Sequence, residues 1–169
     1  MKYAFINGKV LSGKKDMAPQ EGLCVLVDDE IITDALPKEN ANLNGYKVID
    51  LNGAYLMPGL INMHVHLAGN GKPQKKQRDN AKLVKKLMSN GLTRAIAYKL
   101  VSSFAKIELM SGVTTIRTVG GLGDFDTRLR DEISAGDKIG PRIIASNRGI
   151  SVNGGHMAGS VAIAATDAD

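Results

Sequence analysis

The chain has no tryptophan, one cysteine (Cys24), three histidines and only 4% aromatic residues among its 169. A lone cysteine cannot close an internal disulfide, so stability must come from buried apolar surface, and a reducing, cytoplasmic setting is the expectation. So few aromatic rings exclude the stacking platform on which single-stranded nucleic acid is held. No apolar run approaches the ~20 residues that cross a bilayer. The opening Met1-Lys-Tyr-Ala-Phe-Ile-Asn-Gly8 loses its apolar character too early for a secretory signal. Neither nucleic acid nor membrane is therefore an expected partner.

What is present is a globular balance of 43% hydrophobic and 23% charged residues with a net charge of +5. Much of the positive excess falls between Lys72 and Lys86. There Lys82, Lys85 and Lys86 share one helical face and Leu83, Val84, Leu87 and Met88 the other, the pattern of a solvated outer helix rather than of a phosphate-binding surface. Short strands and turns fill the first fifty-odd positions. Tyr3–Ile6 leads into Asn7-Gly8, a hairpin signal. Leu23–Val27 and Ile31–Thr33 flank the acidic turn Asp28-Asp-Glu30, and Val48–Leu51 precedes Asn52-Gly53. Residues 1–57 are read as a β module with Ala35–Tyr46 as a polar surface loop.

From Pro58 the rhythm becomes strand, loop, helix. Asp79 or Asn80 can cap a helix that runs to Ser89 and stops at Asn90-Gly91. A second helix fits Leu92–Ser111, with Ile96, Leu100, Phe104 and Ile107 on one stripe and Gly112 at its end. In Val113–Val119 six of seven residues are β-branched, as a buried parallel strand requires. Asp124 or Asp126 caps a helix with Leu129 and Ile133 inward, closed by Gly136. Arg142–Ser146 is a further strand and Asn147–His156 a glycine-rich loop, while Ala158–Ala165 has no clear pattern. Glycines 120, 121 and 123 before a helix resemble a phosphate-binding turn, yet the third glycine of the dinucleotide fingerprint is missing, which favours a plain loop.

Chemistry concentrates in Met57-Pro-Gly-Leu-Ile-Asn-Met-His-Val-His-Leu67. Strand side chains alternate, so His64 and His66 point the same way, ~6.6 Å apart along the strand. They stand at its C-terminal end, where parallel α/β architectures place their chemistry. Two imidazoles there either make ordinary hydrogen bonds or hold a divalent metal.

Pro58–Leu67 resembles the first-strand signature of the amidohydrolase superfamily of metal-dependent hydrolases. Gly112-Val-Thr-Thr-Ile-Arg-Thr-Val-Gly-Gly121 resembles its second strand, and Gly140-Pro-Arg-Ile-Ile-Ala-Ser146 its third. With Arg148-Gly-Ile and Gly154-Gly-His156, the likeness points to the imidazolonepropionase-like branch, which includes dipeptidases of the Xaa-Pro type. The resemblance implies cleavage of a C–N bond in an amide, cyclic amide or dipeptide by metal-activated hydroxide. It implies His64 and His66 as metal ligands, with zinc as the expected metal and one or two ions in the intact enzyme. The other ligands in that family are a fourth-strand lysine and histidines of the fifth and sixth strands, and an eighth-strand aspartate is the acid/base. His156 and Arg117 are candidate substrate contacts. Thr118 stands where relatives carry an acidic residue.

A complete (β/α)8 barrel takes about 250 residues, and only 103 follow His66. The expected fold is therefore α/β: an incomplete (β/α)8 TIM-type barrel of about three βα units over 58–169, truncated before the fourth strand. Residues 1–57 would supply half of a composite β-sandwich. Such a fragment is expected to be inactive alone, with the acid/base beyond its end, and to work as part of a homo-oligomer when intact or with a second chain that completes the barrel. The competing reading is a non-enzymatic α/β ligand- or phosphate-binding module.

Overall fold

Alternating burial organises the first of two compact units, Met1–Pro58. The computed structural model describes residues 1–69, 80–155, 157–158 and 162–165, without the side chains of Asn80 and Ala164. In β1 (Lys2–Ile6) Ala4 is buried, and β3 (Leu23–Asp28) contributes Cys24, Val25 and Leu26. β4 (Ile31–Pro37) and β5 (Lys47–Asp50) complete a four-stranded sheet of order β4-β3-β1-β5. Only the β1–β5 pair in it is parallel. A separate parallel pair joins β2 (Lys9–Val10) to β6 (Tyr55–Leu56). Burial holds the Cys24 thiol above its ordinary pKa, as expected of an inert core residue.

Asn7-Gly8 is not a hairpin turn. Asn7 takes the left-handed conformation (φ 57°) that the motif predicts, but β1 already has β3 and β5 on its two sides, so β2 pairs elsewhere. The Asn7 side chain instead bridges the unit: its Nδ2 donates to Asp50 Oδ2 (2.8 Å) and its Oδ1 accepts from Lys38 Nζ (2.8 Å). The predicted loop from Ala35 likewise starts as strand, because β4 stays paired with β3 as far as Leu23↔Pro37.

The second unit, Gly59–Asp169, is mixed α/β. β7 (Leu60–Val65), β8 (Val113–Thr118) and β9 (Arg142–Ile144) form a parallel three-stranded sheet in sequence order. Two helices, α1 (Asn80–Leu87) and α2 (Gly91–Met110), lie between β7 and β8 in sequence, and α3 (Phe125–Ser134) between β8 and β9. Asp79 and the Lys72 end of the basic stretch lie outside the described residues. Asn90 caps α2, its Oδ1 accepting from Thr93 N at 3.0 Å, and Gly112 (φ 92°) follows its end. Beyond β9, Gly149–Val152 (β10) pairs in parallel with Ala162–Ala165 (β11), so the expected loop and the unpatterned segment both contain strand. No helix among the described residues is long and apolar enough to cross a membrane.

One face of the sheet carries the core: Val65, Leu67, Ile116 and Ile143 pack with Phe125 and Leu129 of α3 and with Ala97, Tyr98, Val101 and Ala105 of α2. The aliphatic stripe of α2 does not supply its buried face. Ile96, Leu100 and Ile107 are 51%, 48% and 63% exposed, and only Phe104 packs partly against the core. Alanines at 97 and 105 have little bulk to hold the helix off the strands, and that contact outweighs the larger apolar stripe.

Tyr98 ties α2 to α3. Its buried hydroxyl donates to Glu132 Oε2 at 2.6 Å, and Glu132 also meets Arg128 Nε (2.8 Å) and Lys138 Nζ (3.0 Å). Both cations lie over the Tyr98 ring, at 4.0 and 4.1 Å from its centroid. The Tyr98 hydrogen bond first, then the one from Arg128, pulls the Glu132 carboxyl down to about 2. A folded pKa below the ordinary 4.5 means stabilisation that is complete above that value and lost as pH falls towards 2. Glu132→Gln is accordingly expected to lower stability near neutrality by about 1 kcal/mol, a half-exposed charged hydrogen-bond network being partly screened. The gap from wild type should narrow as pH drops below 4.5 in urea-unfolding series.

Candidate active site

The register of β7 on β8 is interrupted where the histidines begin. Asn62 pairs with Ile116 and Val65 with Thr118, three steps on one strand against two on the other, so one extra residue bulges at Met63–His64. Two side chains serve the irregular backbone. Asn62 Oδ1 accepts from His64 N at 3.2 Å, and Arg117 Nε donates to the Met63 carbonyl at 2.9 Å. Past the bulge, alternation resumes. Val65 and Leu67 are buried in the core while His64 and His66 are exposed on the opposite side, their ring centroids 5.2 Å apart and their planes at 73°.

His66 is held from the neighbouring strand. Its Nδ1 lies 3.1 Å from the carbonyl oxygen of Gly120, just past the end of β8. A carbonyl only accepts, so Nδ1 is the donor in this contact, and Nε2, which has no hydrogen-bond partner among the described residues, is the nitrogen turned to a ligand. Metal-binding histidines are oriented in this way by a hydrogen bond on the other nitrogen. Two imidazoles so placed can share a divalent ion, and the donor set is the nitrogen type that zinc accepts. Among the described residues no group of three or more His, Cys, Asp or Glu side chains converges on them.

The turn that presents the Gly120 carbonyl is itself braced. Gly121 N donates to Asn147 O at 2.5 Å. Asn147, left-handed at φ 57°, also caps α3: its Oδ1 accepts from Thr127 N (3.0 Å) and its Nδ2 donates to Thr127 Oγ1 (2.6 Å). Asp124, in the position predicted to cap, instead pairs with Arg94 at 2.6 Å. The other predicted cap, Asp126, is 1% exposed, and among the described residues neither of its carboxylate oxygens has a hydrogen-bond partner of ordinary geometry. A Cβ at Gly121 would lie 2.5 Å from Asp126 Oδ2, so a larger residue there must displace that carboxylate. Thr118, buried, accepts from Ser146 N at 3.0 Å and so joins β8 to the segment after β9.

The structure thus brings together His64, His66 and, through the Met63 carbonyl, Arg117. His156 lies outside the described residues. Residue type alone does not single out Asn147 or Asp126 as site residues. Asn147 acts on a helix start twenty positions earlier, and Asp126 has the character of any acid in a helix's first turn.

Parallel βα units with paired histidines exposed at a strand's C-terminal end define the class of α/β proteins that place polar chemistry on the rim of the sheet. Within that class the chain belongs to the amidohydrolase family, whose model, described as "Amidohydrolase family", matches residues 55–167. Among solved structures it is similar to a protein assigned as a prolidase from Bifidobacterium longum, at 30% identity and a TM-score of 0.75, covering 98% of this chain and 34% of that one. A Xaa-Pro dipeptidase with methionine bound in its active site is 29% identical, with a TM-score of 0.68 over 89% of this chain and 34% of its own. Molinate hydrolase is 25% identical, with a TM-score of 0.69 over 88% of this chain and 30% of its own. The chain therefore spans about a third of the length of these solved relatives. No match was found among curated proteins.

Asn147→Ala should remove the cap and strain the left-handed turn together, an expected loss of about 2 kcal/mol in urea unfolding. Asn147→Gly keeps the turn and should lose about half of that.

Proposed function

We propose that this chain supplies the first-strand portion of a metal-dependent amidohydrolase, one that cleaves a C–N bond in a small amide, cyclic amide or dipeptide. The observation that carries the proposal is the pair His64 and His66, held side by side with the Nε2 of His66 free, in a chain of the amidohydrolase family. Likeness to a Xaa-Pro dipeptidase and to a protein assigned as a prolidase supports dipeptides as the substrate class. His64 and His66 would hold a divalent ion, zinc by preference, with one or two ions in the whole enzyme. Such an ion supplies a Lewis acid for the amide carbonyl and lowers the pKa of water. This chain's own contribution is orientation: the Gly120 carbonyl sets the His66 tautomer, and Arg117 supports the bulge that carries His64. Arg117, exposed beside that bulge, and His156 are the residues we assign to substrate contact.

Two imidazoles fall short of the three or four protein ligands that a zinc site uses, and no further His, Cys, Asp or Glu group joins them among the described residues, so we assign the remaining ligands and the acid/base aspartate to the rest of the enzyme. We read the second unit as the first three βα units of a (β/α)8 barrel and residues 1–57 as half of a composite β-sandwich. The complement is either more of the same polypeptide or a second chain, and the whole enzyme is a cytoplasmic homo-oligomer. Open edges support this reading. Among the described residues β7 and β9 each pair only with β8, and the aliphatic stripe of α2 faces outward.

The purified chain is expected to bind Zn²⁺ in equilibrium dialysis, with affinity falling at least ~10-fold in His64→Ala and in His66→Ala while the far-UV spectrum is kept. It should release no amino acid from Xaa-Pro dipeptides in a ninhydrin assay. Undiminished zinc binding in the double variant would refute the histidine assignment, and dipeptide turnover by the chain alone would refute its dependence on a complement.

A further inference from the structure

Asp126 is the buried charged group that the site as described leaves unused. It lies in the first turn of α3, where the helix dipole favours an anion, yet among the described residues neither oxygen closes a hydrogen bond of ordinary geometry. Both oxygens lie beside the turn after β8, at 2.5 and 2.6 Å from where a Gly121 Cβ would stand. One peptide earlier, the Gly120 carbonyl receives His66 Nδ1. Burial pushes the carboxyl pKa up; the Thr118 hydroxyl, the Asn147 backbone and, electrostatically, His66 oppose that rise. Thr118 and Asn147 favour the charged form without closing a hydrogen bond of ordinary geometry.

An unpartnered buried carboxylate is destabilising, and a neutral isostere in its place is ordinarily tolerated or stabilising. Packing alone therefore does not account for it. We infer that Asp126 is a positioning residue for His66: its carboxylate backs the Gly120–Gly121 turn whose carbonyl orients the imidazole, and it sets a negative charge near His66 that a bound divalent cation would compensate. The inference rests on the metal-site reading above. It adds a residue that touches neither substrate nor ion. The compensation it describes is mutual, since a cation on Nε2 offsets the cost of burying Asp126, and Asp126 strengthens the hold on the cation.

Co²⁺ serves as the probe, because its visible spectrum reports both affinity and ligand geometry. Asp126→Asn keeps the shape and removes the charge. It is expected to melt at or above the wild-type temperature while Co²⁺ affinity falls roughly 10- to 100-fold. Gly121→Ala keeps the charge but displaces the carboxylate and tilts the turn. It should weaken Co²⁺ binding and shift the imidazole ¹⁵N resonances of His66 away from the Nδ1–H form. Co²⁺ affinity of Asp126→Asn within twofold of wild type overturns the inference and leaves the histidine site standing. Should Asp126→Asn not fold, unchanged affinity and an unchanged His66 tautomer in Gly121→Ala overturn it instead. Absence of Co²⁺ binding by the wild-type chain overturns the metal-site reading itself, and this inference with it.

Discussion

The contact between His66 Nδ1 and the Gly120 carbonyl links everything of chemical interest in the second unit. It spans two adjacent parallel strands just where both leave the sheet. Gly120 is in turn the first residue of a turn braced by the Asn147 carbonyl through Gly121, and Asn147 closes the N-terminus of α3. A side chain just past β7 is thereby connected with the strand end of β8, the helix after it and the segment after β9. Parallel strands put those three ends at one edge, and the hydrogen bonds use the backbone groups that the ends leave unpaired.

Much of the second unit was legible because its residues act locally. The β-branched run at 113–119, the break at Asn90-Gly91 and the Gly112 stop each act within a turn of where they stand, and the structure uses all three there, with Asn90 also capping α2, a role not expected from the sequence. The shared direction of His64 and His66 follows from alternation alone. Illegible features depend on partners distant in sequence. Asn7-Gly8 has hairpin chemistry, but whether its flanking strands pair is decided by β3 and β5 competing for β1. α2 presents two candidate faces, and hydrophobicity favours the one that stays exposed. Its approach to the strands favours the face with Ala97 and Ala105. Asn147 caps a helix twenty residues before it, which no window of local pattern can contain.

The bulge at Met63–His64 has a counterpart in Arg117. An extra residue in one strand frees backbone groups from the ladder, and the exposed Arg117 answers by donating Nε to the Met63 carbonyl. That commits one guanidinium nitrogen to structure. A substrate-binding role for Arg117 would therefore rest on its remaining nitrogens, held in place by the bond that the bulge provides.

The orientation of the imidazoles does not depend on a ligand. Val65 and Leu67, 7% and 2% exposed, alternate with His64 and His66 on one strand. Turning the histidines inward would drag both apolar side chains into water, at about 1.5–3 kcal/mol each, and would bury two polar rings. The core therefore decides which way the pair faces. The Gly120 carbonyl then decides which nitrogen of His66 is free, and neither choice has to be made when a cation arrives. Binding to a pair fixed in this way loses less side-chain freedom than binding to mobile rings. A strand built mainly to fill a core can thus also present imidazole nitrogens in a fixed direction, since hydrophobic alternation on one face sets the direction of the side chains on the other.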